Sequence, residues 1–90
     1  MTARQVFYEG RVQGVGFRYT VHQIATGFDI TGWIRNLPDG RVELLAAGDP
    51  GELAEFLQAI HDSSLGSFIR NHTPHEIPAP ANLRGFEIVD

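Results

Sequence analysis

The stretch that most constrains this chain is Glu9–Arg18, EGRVQGVGFR. Before and into it, Gln5–Val12 mixes aromatic and β-branched residues as strands do. From its end onward, Phe17, Val21, Ile24, Ala25 and Phe28 recur at helical spacing, one apolar stripe to pack on a sheet. The chain must therefore pass from strand to helix through a short turn holding Gly14 and Gly16. Glycines leave such a turn without side chains, so its backbone N–H groups stay open to a ligand. The helix start adds unpaired N–H groups and the positive end of a dipole. Arg18 adds a permanent charge and a planar fork of donors suited to two oxygens of one phosphate. Strand, glycine turn, helix start and arginine together make an anion cradle.

Two familiar phosphate motifs are excluded. A dinucleotide fingerprint needs a glycine three residues after Gly16, where Tyr19 stands. A nucleotide P-loop needs a Gly-Lys pair, and the chain has no lysine.

The rest of the chain supplies the frame. The run Val6-Phe7-Tyr8 breaks strand alternation, as a central strand covered on part of both faces does. Gly27 or Asp29 marks the end of the first helix. Ile30–Asn36 reads as a second strand, Leu37–Gly40 as a type I turn, and Arg41–Ala47 as a third strand with Val42, Leu44 and Ala46 on one face. Asp49-Pro50-Gly51-Glu52 announces a helix: Asp caps, Pro takes the first turn, and Glu stands where a capping box places it. Leu53, Phe56, Leu57 and Ile60 form its buried stripe, and it should end near Asp62–Ser64. Ser67–Ile77 is a strand that Pro74 demotes to an edge or a bulge. Pro78, Pro80 and Asn82 belong to an exposed connection, and Gly85–Val89 closes with a short strand. This order is α+β, β-α-β-β-α-β with a small extra strand: a ferredoxin-like sandwich with two helices on one face of an antiparallel sheet. Ninety residues make one domain, 1–90, with no internal repeat.

Composition narrows the function. A formal charge of −4 argues against nucleic-acid and anionic-membrane surfaces and sets Arg18 against an acidic background. No apolar run approaches the roughly 18 residues of a membrane span. Cysteine is absent, which removes disulfides and thiolate chemistry and permits a reducing cytoplasm, the expected location. His72 and His75 are separated by an odd step, so an extended chain would put them on opposite faces; they read as solvated loop histidines and not as a metal site. His22 falls one helical turn after Arg18 and reads as a surface residue. GVGFRY faintly resembles an RNA-binding signature, but its Gly-Phe run lies at a turn and not on a strand face.

GRVQGVGFR, followed by GWIRNLPDGRVE at Gly32–Glu43, resembles the acylphosphatase family in order and spacing, and the likeness runs on to GFEIVD at the C-terminus. The resemblance implies an enzyme that hydrolyses acyl phosphates to a carboxylate and inorganic phosphate, without metal or cofactor. It implies that Arg18 binds phosphate and that Asn36, in GWIRN, positions the attacking water. It implies a phosphate-binding loop of Val12, Gln13, Gly14, Val15, Gly16, Phe17 and Arg18. The expected partner is a small-molecule acyl phosphate, with phosphate or sulfate as inhibitor, no nucleic acid, no membrane, and a monomeric protein. SSLGSFIRNHTPHEIP departs from the family's proline- and valine-rich approach to the fourth strand and leaves that strand's register open. The alternative on the same fold is an anion-binding or interaction domain without turnover.

Overall fold

A computed structural model describes residues Met1–Asp90. The elements are β1 (Thr2–Gly10), α1 (Phe17–Ala25), β2 (Ile30–Asn36), β3 (Val42–Gly48), α2 (Pro50–Asp62), a 3-10 turn at Ser64–Ser67, β4 (Ile69–Pro78) and β5 (Phe86–Ile88). The sheet runs β4-β1-β3-β2-β5, with both helices over one face. The ferredoxin-like reading therefore holds. Its first four strands pair antiparallel, but β5 lies parallel to β2, so the complete sheet is mixed.

Burial follows from strand position. β3 is central and buried along its whole length. Val42, Leu44 and Ala46 face the helices, where they join Val6 and Tyr8 of β1, Ile34 of β2, Phe17 and Val21 of α1, and Leu53, Phe56 and Ile60 of α2. The opposite face carries a smaller cluster of Ala3, Leu45 and Ala47, covered by Trp33, Ile77, Ala79 and Leu83. The proline-rich connection after β4 thus shields part of the sheet's open side. No helix is long and apolar enough to cross a membrane.

Several boundaries move, each for a local reason. β1 starts at Thr2 because its early residues pair with both β3 and β4, and it stops at Gly10, where the pairing with β4 slips by one residue. α1 ends at Ala25: Gly27 and Phe28 donate to Ile24 and Ala25 in a closing turn, so Phe28 packs on the core from beyond the helix. The stretch before β4 is partly a 3-10 turn, with the Ser63 hydroxyl accepting from the Leu65 N–H, and the strand proper begins at Ile69. Pro74 does sit on an edge strand, where a missing N–H is harmless. His72 and His75 lie on that strand and not in a loop. They do face opposite ways: His72 stacks near Tyr8 on the helix side and His75 meets Phe7 on the other. At α2 the Asp49 carboxylate caps Gly51 and Glu52 as expected, but Glu52 does not close a capping box; its Oε1 accepts from the Asp29 N–H at 2.8 Å. Glu52 thereby ties the start of α2 to the chain just before β2.

Candidate active site

The turn after β1 is held from below by its apolar residues and left bare above. Val12 and Phe17 are buried in the core and Val15 packs against it. Gly14 and Gly16 alternate with them at φ 79° and 77°, in the left-handed region, and a Cβ at either would meet no protein atom. The glycines are thus required by backbone conformation and leave the turn's outer side clear. Gly16 also stands at the helix start, where no side chain caps α1. The first amide of the helix to find a partner is that of Thr20, which donates to the Gly16 carbonyl at 3.0 Å. From Val12 to Tyr19, no backbone N–H donates to an acceptor within the protein. That row of free donors, ending at a helix N-terminus, is the physical basis of the cradle.

Arg18, half-buried in the first turn of α1, forms no ion pair or hydrogen bond within the protein. It lines a pocket of about 200 Å³ together with Val12, Gly14, Gly16, Phe17, Tyr19 and Asn36. Two residues eighteen positions apart in sequence, Arg18 and Asn36, therefore open onto one space with the glycine turn.

Asn36 is the last residue of β2, paired with Val42. Asparagine before a turn commonly folds its side chain back onto the backbone, but here that task falls to Asp39. The Asp39 carboxylate accepts from the Arg41 N–H at 3.1 Å and from Arg41 Nε at 2.8 Å. Those two bonds hold its pKa below the usual carboxylate value. The Asn36 amide makes no hydrogen bond within the protein, and its Oδ1 is buried without a partner. A buried unpaired carbonyl oxygen costs on the order of 1–3 kcal/mol. The residue lines the pocket, and its amide is committed to no group of the protein.

Sequence reasoning assigned Gln13 only a backbone role. Its side chain does something separate: Nε2 donates to the Leu37 carbonyl at 2.8 Å and to the Arg41 carbonyl at 2.9 Å. It pins the cradle to both sides of the β2–β3 turn and so fixes the distance between the loop and Asn36. Nothing in the linear sequence pairs Gln13 with that turn. Tyr19 is the other residue missed. It is 70% exposed and forms the pocket's apolar rim. His22 lies outside the pocket, with its ring 6.1 Å from that of Phe86.

The acylphosphatase family model matches residues 4–88. An acylphosphatase of Archaeoglobus fulgidus is 45% identical over 88 residues, covering 98% of this chain and 83% of that protein. One of Trichormus variabilis is 42% identical over 83 residues, covering 92% and 81%. The crystal structure of acylphosphatase from Bacillus subtilis matches with a TM-score of 0.90 at 37% identity, covering 100% of both chains. Sequence, length and backbone agree with the same group of proteins, and the chain belongs to the acylphosphatase family.

Proposed function

We propose that this chain hydrolyses acyl phosphates to a carboxylate and inorganic phosphate, with Arg18 and the Val12–Arg18 loop holding the phosphoryl group and Asn36 orienting the attacking water. Membership of the acylphosphatase family supports the reaction. The observation that carries the residue roles is the convergence of Arg18, the donor-rich loop and the uncommitted Asn36 amide on one pocket. In this reading the phosphoryl oxygens take the free N–H groups of the loop and the Arg18 fork. The water oxygen bonds to phosphorus as the phosphorus–carboxyl oxygen bond breaks, and the bonding pair leaves with the carboxylate. The water's proton passes to the phosphate or to solvent. Phosphoryl transfer depends on positioning and electrostatic stabilisation, and the leaving carboxylate needs no strong acid to assist it. A neutral amide suits the water-binding role because it does not repel an anionic substrate. Tyr19 offers the acyl group an apolar surface at the rim.

The positive field of Arg18 and the loop does the work that a metal would otherwise do, so we propose a reaction without metal or cofactor. A single domain, 1–90, suffices for it, since one core draws on both helices and every strand of the sheet except the edge β4 and β5, which pack against it. A monomer fits the exposed edge: β4 carries Pro74 and Pro78, which blunt strand addition. The deciding experiment is turnover of benzoyl phosphate with and without a chelator. Hydrolysis should persist in the chelator and be inhibited competitively by phosphate or sulfate. Phosphate binding without turnover would favour the non-catalytic reading, and activity that returns only with a divalent metal would overturn the mechanism.

A further inference from the structure

A second cleft, of about 280 Å³, lies between α2 and the edge strand β4, with β1 as its floor. It exists because α2 packs over the inner strands and leaves the helix-side face of β4 uncovered. On that face His72, Pro74 and Glu76 stand opposite Tyr8, Val6 and Arg4 of β1, and all three β4 residues are exposed. Val6 and Leu57 give the cleft apolar walls.

Its polar groups are unusual for a structural gap. Arg4 points into the helix-side layer, yet no hydrogen bond within the protein uses its guanidinium, and Nη1 is buried without a hydrogen-bond partner. Its only ionic neighbour is Glu76, at 3.4 Å but outside hydrogen-bond geometry, and that carboxylate is 69% exposed. Tyr8 is 1% exposed and lines the cleft. The rings of His61 and His72 close one end, with centroids 4.5 Å apart. An arginine whose one ion-pair partner is an exposed carboxylate outside hydrogen-bond geometry, with a buried phenol, two imidazoles and an apolar wall beside it, is complementary to an anion with an apolar body. The planar guanidinium fork matches two coplanar oxygens. The same arginine opposes a metal ion at the histidine pair.

We propose that the cleft between α2 and β4 binds a small organic carboxylate carried on an apolar body about the size of an aromatic ring, held by Arg4, Tyr8, His61 and His72. This site is separate from the phosphate pocket and does not depend on the reaction proposed there. The test is titration of the full chain with benzoate, followed by NMR, with the phosphate pocket kept saturated by inorganic phosphate. Saturable shifts of the His61, His72 and Tyr8 ring signals are expected. Arg4→Gln should weaken the affinity by about tenfold or more, the effect of one charge-assisted hydrogen bond. His72→Thr, on an exposed edge strand that accepts threonine, should weaken it by a smaller factor and gives a second variant should Arg4→Gln fail to fold. Four outcomes would overturn the proposal: no saturation up to the solubility of benzoate, shifts confined to Gly14–Tyr19 and Asn36, unchanged affinity in the folded variants, or histidine signals that respond to zinc and not to benzoate.

Discussion

Lysine replaces arginine at little cost where only the charge is used, and poorly where two oxygens must be held in one plane. Arg18 has no partner within the protein, so its substitution tests the ligand contact with little effect on stability. Arg18→Lys should lose most of the turnover, and Arg18→Gln should do no better, while both keep the wild-type urea midpoint; near-normal turnover by Arg18→Lys would show that charge alone suffices. Asn36 is tested differently. A turn-capping role predicts that Asn36→Ala loses stability and keeps its rate per folded molecule. The proposed role predicts unchanged phosphate affinity and a loss of roughly 10²–10³-fold in turnover, as when one preorganised polar group is removed. Asn36→Asp should lose phosphate affinity as well, because a carboxylate about 4 Å from an anion is repelled by several kcal/mol at an effective dielectric near 20. Wild-type turnover in folded Asn36→Ala would remove this residue from the mechanism. The place of Arg18 beside a row of free amides was legible from the glycines before it, which mark the turn and the helix start. Asn36 was legible only through the family resemblance, because its meeting with Arg18 depends on how β2 lies beside the turn after β1.

At the scale of elements, the proposed mechanism requires the turn after β1 and the β2–β3 hairpin to keep a fixed distance. The Gln13 side chain spans that gap with two hydrogen bonds to carbonyls. Gln13→Leu keeps much of the bulk and loses both bonds, leaving the Leu37 carbonyl its bond from Gly40 and the Arg41 carbonyl its bond from Leu37. Stability should therefore fall by about 1–3 kcal/mol, and turnover of the folded protein should fall further as Asn36 drifts from the phosphate site. A loss of stability with unchanged turnover would make Gln13 a structural brace and nothing more. Local signals served the elements well where they were self-contained: the Asp49-Pro50 start of α2 and the Pro38-Asp39-Gly40 turn form as their residues dictate. They failed where a distant partner decides. Glu52 has the position of a capping-box residue but finds the Asp29 amide, a choice set by how α2 packs beside the end of α1. β4 begins two residues later than expected because Ser67 still belongs to the 3-10 turn after α2 and the Phe68 N–H donates to the Leu65 carbonyl.

For the molecule as a whole, the acidic background and the free Arg18 concern ligands, whereas one source of pH-dependent stability lies elsewhere, at the end of α2. There His61 packs near Tyr8 and His72, the three rings lying within 4.5–6.4 Å of one another, centroid to centroid. A histidine in the last turn of a helix is ordinarily favoured in its charged form by the dipole. Here burial and then the charge on His72 outweigh that and the opposing pull of Asp62, and they push the His61 pKa down. In the unfolded chain His61 titrates near about 6.5. Between that value and the lower folded one, the unfolded state binds more protons, so stability rises with pH across this window. The contribution is complete above about pH 6.5 and is lost as pH falls through the folded pKa. Urea unfolding of the wild type from about pH 7.5 down to about pH 5 should therefore show a falling midpoint. His61→Gln, neutral throughout and close in size, should flatten that fall while leaving the value at the upper end nearly unchanged. His72→Thr should flatten it in part, because it removes the second charge and leaves the burial of His61 in place. If His61→Gln keeps the full wild-type slope, another group carries the pH dependence, and the crowded rings of His61, His72 and Tyr8 are merely packed together.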